Sequence, residues 1–287
     1  MTTHQESHDL NGKTFQILSI LYPDELQFLQ SVSSLVDVPA NTSVIIEGQD
    51  NHKLYLVKSG ILHVSKRHHG VIFDIGAITP GEIFGEGSML YHTTAGANVH
   101  SIEGCTLYVI DAAHLQEVIQ NNSRFNHAIR QLSERRSAAG ALAINPIFSH
   151  LPQNIREVIL YNGEYISLKE GDVLFHEGEK NTEAVYLILS GRAEVSIQHP
   201  SNPSKKVVFA TLTSGDEIGE APLMTHKAHA ATVTAVASLR LFKISTQSMQ
   251  LWIQRYSDFE RALHHGVQHK LQHNLKALRQ KDFLDAS

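Results

Sequence analysis

Two sixteen-residue segments, FGEGSMLYHTTAGANV at 84–99 and IGEAPLMTHKAHAATV at 218–233, stand 134 positions apart and align without a gap. Each opens on an apolar residue and a Gly-Glu pair, runs through a short mixed stretch, and closes on small residues before a valine. The likeness extends upstream in the same order. Glu47-Gly48 matches Glu177-Gly178, YLVKSG at 55–60 matches YLILSG at 186–191, and ITPGEIFGE at 78–86 matches LTSGDEIGE at 212–220. The offset grows along the chain, so the second copy carries extra residues, which fall in HPSNPSKK at 199–206. That stretch is rich in Pro and Ser and reads as a hairpin loop. A duplication of this length fixes the organisation as two copies of one domain.

Within each copy, short runs of Val, Ile, Leu and Tyr are cut by glycines, at 48, 60, 70 and 81 and again at 171, 178, 191 and 215. Short β-rich runs with glycine turns predict a sandwich or barrel. Helical spacing flanks each copy. FQILSILYPDELQFLQSV precedes the first and NPIFSHLPQNIREVILY precedes the second. DAAHLQEVIQ and SRFNHAIRQLSERRS follow the first as two helices, the second of them N-capped by Ser123 with Phe125, Ile129 and Leu132 on one face. After the second copy, Phe259, Leu263, Val267, Leu271, Leu275 and Leu278 recur at steps of three or four. This stripe predicts a terminal helix packed across its own barrel or paired with a second copy of the chain as a homodimer.

Composition narrows the function. The chain has 287 residues, 42% of them apolar and 18% charged, with a formal net charge of −5. That is a globular composition without the excess of positive charge that grips nucleic acid. The single cysteine, Cys105, excludes a disulfide framework and a multi-cysteine zinc site, and in its apolar run it reads as core. No stretch is long and apolar enough for a membrane span, and no secretory leader is present, so a cytoplasmic location is expected. No P-loop, GxSxG or dinucleotide fingerprint appears, and an enzyme is not expected.

The paired segments resemble the phosphate-binding cassette of cyclic-nucleotide-binding domains, the module of the catabolite activator protein and of protein kinase A regulatory subunits, whose pattern is close to FGE-x-A-x-x-x-x-x-PRAATV. The resemblance implies a mixed α+β fold: two β-barrels of the double-stranded β-helix, or jelly-roll, type, each flanked by helices. The expected divisions are a short polar segment at 1–14, a first domain with its helical linker at 15–140, and a second with the terminal helix at 141–287. It also implies the ligand-binding residues: Gly219, Glu220, Ala221, Pro222, His229, Ala230, Ala231 and Thr232 in the second copy, and Gly85, Glu86, Gly87, Ser88, Ala95, Gly96, Ala97 and Asn98 in the first. Backbone N–H groups exposed by small residues suit a phosphate, and the glutamates, Glu86 and Glu220, accept from ribose hydroxyls.

Both copies depart from the pattern at the family's arginine, where the first has Ala95 and the second His229. Losing a charge-assisted hydrogen bond of about 1.5 to 3 kcal/mol weakens binding by about tenfold to more than a hundredfold. His229 donates a hydrogen bond when neutral and carries charge when protonated, so binding that uses it tightens as pH falls. Lys227 lies on a turn and reads as solvated, and the same holds for Arg67 in the SKRHHG hairpin. The expected ligand is cyclic AMP or cyclic GMP. An uncharged nucleoside and cyclic di-GMP are alternatives, and a scaffold with silent pockets is the competing class. His265, His269 and His273 on the last helix, and His63, His68 and His69 on a hairpin, read as solvated rather than as metal or haem ligands.

These residues read as a sensor or adaptor, taken as bacterial, that passes ligand binding to a protein effector by moving the helices around 123–137 and 257–283. Past residue 245 the expected terminal helices offer no helix-turn-helix, so direct DNA binding is not expected. With about 14 polar residues ahead of the first barrel, neither is inhibition of a kinase by a preceding pseudosubstrate segment.

Overall fold

A computed structural model describes residues 2–4, 10–180, 183–199 and 202–284, with side chains described for 10–180, 183–199, 205–272 and 276. The chain forms two compact units, Met1–Arg136 and Ser137–Ser287. The division falls within the helix Ser123–Ile144.

The first unit holds strands β1 (Thr2–His4), β2 (Ser34–Val38), β3 (Thr42–Ile45), β4 (Lys53–Ser59), β5 (Leu62–His68), β6 (Val71–Ile78), β7 (Ile83–Phe84), β8 (Asn98–Ser101) and β9 (Cys105–Asp111). Its helices are α1 (Pro23–Val32), α2 (Glu86–Tyr91), α3 (Ala112–Asn121) and the start of α4 (Ser123–Ile144). The strands make two antiparallel sheets, ordered β1-β2-β9-β4-β7 and β3-β8-β5-β6. Strands adjacent in sequence thus often lie in different sheets, the wrapping expected of a jelly roll. Between the sheets Val38, Ile45, Val57, Leu62, Ala95, Val99 and Leu107 form one core. A second core, with Phe15, Leu29, Leu56, Tyr108, Leu115, Phe125 and Ile129, lies where the helices cover the outer face of the larger sheet.

The second unit repeats this plan. After the end of α4 come α5 (Gln153–Asn162), β10 (Glu164–Leu168), β11 (Val173–Phe175), β12 (Ala184–Ser190), β13 (Ala193–His199), β14 (Asn202–Leu212), β15 (Glu217–Ile218), α6 (Glu220–Thr225), β16 (Thr232–Ala235), β17 (Leu239–Ser245), α7 (Thr246–Arg255) and α8 (Ser257–Leu284). Its sheets run β10-β17-β12-β15 and β11-β16-β13-β14. The expected mixed α+β architecture of two jelly-roll barrels with helices is what the chain forms. The stretch 199–206, expected as a hairpin loop, is mostly strand: β13 runs to His199 and β14 begins at Asn202, with Pro200 and Ser201 outside the described residues.

Three further sequence expectations are corrected. The helical stretches before each barrel are not continuous. A 3-10 turn at Gln16–Ile20 gives way to α1 at Pro23, and another at Phe148–His150 precedes α5, which begins after Pro152. Proline lacks an N–H and restricts the residue before it, so it starts helices rather than continuing them. The cap of α4 is Asn122 rather than Ser123, since Asn122 Oδ1 accepts from the Phe125 amide at 2.9 Å. Finally, residues 2–4 of the polar leading segment pair with β2 as an edge strand.

The apolar stripe on α8 is buried in its own unit. Phe259, Leu263 and Val267 pack with Ala138, Leu142, Phe148 and Met249, and Leu271 lies partly buried beside them. Leu275 and Leu278 lie outside the described side chains. Among the described residues, no helix is long and apolar enough to cross a membrane.

The β-turn glycine at 191 shows how tightly the barrel closes. Its φ is +91°, and an added Cβ would stand 2.1 Å from the Ser238 carbonyl oxygen. Gly60 is its counterpart, at φ +85° and 2.5 Å from the Gly104 oxygen. Gly191→Ala should therefore lower stability by about 2 to 4 kcal/mol through backbone strain and overpacking. Urea unfolding measures it, and a loss below about 0.5 kcal/mol would contradict this account of the turn.

Candidate functional site

Each cassette begins with a glycine in the left-handed region, Gly85 at φ +90° and Gly219 at φ +87°. A side chain at 85 would meet the Lys53 carbonyl at 2.6 Å. The sharp turn delivers the next residue, Glu86 or Glu220, to the first position of a six-residue helix. Both glutamates are buried, at 5% and 4% exposure. Both helices end on a histidine in the left-handed region, His92 or His226.

The return stretch is held the same way in both barrels. Gly48 donates to the Ala95 carbonyl at 2.8 Å and Ala95 donates to that of Gln49 at 2.8 Å; Gly178 donates to His229 at 2.8 Å and His229 to Glu179 at 2.9 Å. Ala95 and His229 are thus structural equivalents, as the alignment predicts. Asn51 Nδ2 donates to the Gly85 carbonyl at 3.0 Å, so the segment 48–53 holds both ends of the first cassette. Asn98 and Thr232 secure the wall: the Glu47 amide donates to Asn98 Oδ1 at 2.9 Å, and the Glu177 amide to Thr232 Oγ1 at 3.0 Å.

The remaining site positions follow from this frame. Gly87 and Ser88 are half-buried on α2, as Ala221 is on α6; Gly96 and Ala230 are exposed, while Ala97 and Ala231 are half-buried beside them. Pro222 is buried in α6 and lines, with Leu223, Lys180, His226 and Lys227, a cavity of about 410 Å³. Ala95 is buried among Ile45, Phe84 and Val99. The His229 imidazole is buried too, stacked on Phe175 with ring centroids 3.6 Å apart.

Sequence reading missed the partners of the two glutamates. On α4, Arg136 sits with Nη1 3.9 Å from Glu86 and Nη2 3.2 Å from Glu82, and it donates to the Ile83 carbonyl. On α8, Lys270 donates to Glu220 at 3.0 Å and to the Glu217 carbonyl at 2.9 Å, and it pairs with the Glu217 carboxylate. Residues 136 and 270 are again 134 apart, as are 83 and 217, the carbonyls they reach. The signal was in the sequence: SRF at 123–125 and SDF at 257–259 extend the same offset into the helices beyond the barrels. In the second unit Asn145 completes the cluster, donating to the Gly215 carbonyl at 2.9 Å and to the Glu217 carboxylate.

The electrostatics follow from burial. Desolvation pushes the Glu86 carboxyl above its ordinary range, opposed by Arg136 and the Ser133 hydroxyl. Burial also raises Glu220, with Lys270 opposing and the charge of Glu217 reinforcing. For Glu217, burial is outweighed by the charge of Lys270 and by hydrogen bonds from Lys270 and Asn145, which hold it below the usual range. Lys270 is raised above an ordinary lysine: burial pulls it down, but Glu220 and Glu217 together overcome that.

Elsewhere, Cys105 is buried and its thiol is pushed up by that burial, consistent with core. His63, His265 and His269 are exposed, as expected, while His273 lies outside the described side chains. His68 corrects the expectation of a solvated hairpin. It shares the face of β5 that carries Leu62 and is 6% exposed, its ring 4.1 Å from that of His69. Lys227 and Arg67 are exposed, as expected.

The sequence profile of the cyclic nucleotide-binding domain matches residues 35–122 and 165–256. The chain is similar to patatin-like phospholipase domain-containing protein 7 of Rattus norvegicus, at 23% identity over 90% of this chain and 18% of that protein. It is also similar to the cAMP-dependent protein kinase regulatory subunit of Yarrowia lipolytica, at 28% identity over 72% of this chain and 50% of that one. It therefore spans half or less of the length of these curated relatives, which are eukaryotic and lend no support to a bacterial source. Among solved structures, it is similar to the regulatory subunit of a cAMP-independent protein kinase A from Trypanosoma cruzi bound to guanosine, at 19% identity and a TM-score of 0.42, covering 96% of this chain and 94% of that chain.

Removing the Lys270 charge strands two buried carboxylates. Lys270→Met should cost about 2 to 4 kcal/mol at pH 7, the lower end because the lysine side chain is 33% exposed and water screens it. The sign of the pH dependence follows. The depressed Glu217 contributes stability above the unfolded carboxylate value that is lost as pH falls through its folded value, and the variant lacks this contribution. The deficit against the parent should therefore shrink as pH drops from 7 toward 4, where protonation relieves the stranded charges. Urea unfolding across that range checks it, and a deficit that grew on acidification would refute the pairing.

Proposed function

The chain belongs to the cyclic nucleotide-binding domain family, and we propose that it is a non-enzymatic cytoplasmic sensor that binds a cyclic nucleotide or a related nucleotide in its cassettes and relays binding to a protein effector through its helices. The observation that carries this reading is the placement of Arg136 and Lys270. Each cassette glutamate that would accept ribose hydroxyls is ion-paired with a cation on a helix after its barrel, Glu220 with Lys270 at 3.0 Å and Glu86 with Arg136 at 3.9 Å.

A ribose that donates to Glu220 competes for the oxygen that now accepts from Lys270. Its hydroxyl brings no charge, so Lys270 stays paired with Glu217 while its hold on α6 weakens. Ligand and α8 thus act on one carboxylate, and ligand shifts the population of α8 positions by its differential affinity for them. The same logic applies to Glu86, Arg136 and α4. The effector is a protein, and a kinase catalytic subunit is a reasonable class because the regulatory subunits share this pair of barrels.

A second reading has a specific observation in its favour. The His229 ring is packed against Phe175 inside the second barrel, which suits a silent or smaller pocket better than a phosphate site. In that case the second barrel takes an uncharged nucleoside or serves as a scaffold surface.

Thermal shift and calorimetry with cyclic AMP, cyclic GMP, cyclic di-GMP, adenosine and guanosine separate these. A ligand at a hundred times its dissociation constant should stabilise the chain by about 2.7 kcal/mol. Glu220→Ala should remove the part of that shift that belongs to the second barrel, and Glu86→Ala the part from the first. No shift with any of these at millimolar concentration would leave the scaffold reading.

A further inference from the structure

The two barrels keep their basic side chain in different places. Strands β5 and β13 are equivalent: Ser65 pairs with Asn98 and Ser196 with Thr232. The amides two residues beyond, of Arg67 and Gln198, donate to the carboxylates of Glu47 at 2.8 Å and Glu177 at 2.9 Å. Between these matched positions stands Lys66 in the first barrel and Ile197 in the second.

Lys66 lies on the inner face of β5. The irregularity between Val64 and Ser65 places the extra residue, Ile75, on β6, so alternation along β5 is unbroken and Leu62, Val64 and Lys66 share one side. Leu62 and Val64 pack in the barrel core with Ala95 and Val99 of the cassette. Lys66 is 7% exposed. Its ammonium is attracted by the Glu47 carboxylate. Burial lowers its pKa and Glu47 opposes that. A lysine this deeply buried on the inner face of a barrel is costly, and an anion that reaches its ammonium lowers that cost.

We infer that the first barrel binds an anionic nucleotide whose phosphate is met by Lys66 from the barrel wall, supplying on β5 the positive charge that Ala95 does not supply from the cassette. This rests on reading Glu86 as the sugar acceptor. The second barrel, with Ile197 at the matching place, lacks this cation, so the two pockets differ in the charge of ligand they accept.

The test is calorimetry on the full chain carrying Glu220→Ala, which leaves the first pocket to be read alone, with cyclic AMP, cyclic GMP, adenosine and guanosine. A cyclic nucleotide should bind, and adding Lys66→Met should weaken it by about tenfold to a hundredfold, with nucleoside affinity unchanged. Methionine keeps the length without a charge, so the variant should melt at or above the temperature of its parent. Adding Ala95→Arg to Lys66→Met should restore affinity by returning a cation to the pocket. Cyclic-nucleotide affinity that survives Lys66→Met overturns the inference, as does nucleoside binding gained in that variant, which would make Lys66 a plug. Nucleosides binding the parent where cyclic nucleotides do not would also overturn it while leaving the sensor reading standing. Binding of none of the four overturns the inference, and the sensor reading falls with it only if the chain with Glu220 intact also binds none of them.

Discussion

A carboxylate taken out of water must be answered by a positive charge or by several donors, and each cassette of this chain places one at the start of a six-residue helix, buried to about 95%. Much of each unit is arranged around that requirement. The left-handed glycine before the glutamate sets the turn, and the segment 48–53 in the first unit clamps the cassette from behind. The answering charge comes from a helix fifty residues further on, Arg136 for Glu86 and Lys270 for Glu220. Those helices have reason to dock beyond their apolar faces, since withdrawing them would expose a stripe of Phe and Leu and strand a charge.

The two copies solve the problem with different chemistry. Arginine presents a planar fork, and Arg136 spreads it over Glu82, Glu86 and the Ile83 carbonyl. Lysine is a compact point charge, and Lys270 sits between two buried acids, Glu217 and Glu220, with Asn145 satisfying the remaining oxygen of the former. The first copy has the apolar Ile83 where the second has Glu217, and the burden on the cation changes accordingly. Burial raises Glu220, with the charge of Glu217 adding to it, whereas the charge of Lys270 and the hydrogen bonds from Lys270 and Asn145 hold Glu217 down.

The pockets diverge as well. The residue that would face a phosphate is small in one barrel and a stacked imidazole in the other, and the interior of the first barrel holds a lysine where the second holds isoleucine. Duplicated domains that keep the sugar-facing acid while changing the groups around it can read different ligands with one scaffold, because fold and site are separable. Both barrels nevertheless keep an ion pair between the cassette glutamate and a cation on the helix that follows.

Glycines, alternating apolar runs and an internal repeat were sufficient to give two barrels with flanking helices, because turns at positive φ and two-residue periodicity are local properties of the chain. The same locality placed the cassette glutamates and identified Ala95 and His229 as equivalents. Proline breaks at 23 and 152 were also written in the sequence, though periodicity alone read through them. What the sequence by itself determined was therefore the repeat, the strands and the candidate site. The pairing of residues fifty positions apart, the inward direction of Lys66 and the stacking of His229 on Phe175 were decided by the tertiary structure. Each depends on which faces meet across a sheet or beneath a helix, and burial, which turns an ordinary Glu or Lys into a strained one, exists only once those faces have closed.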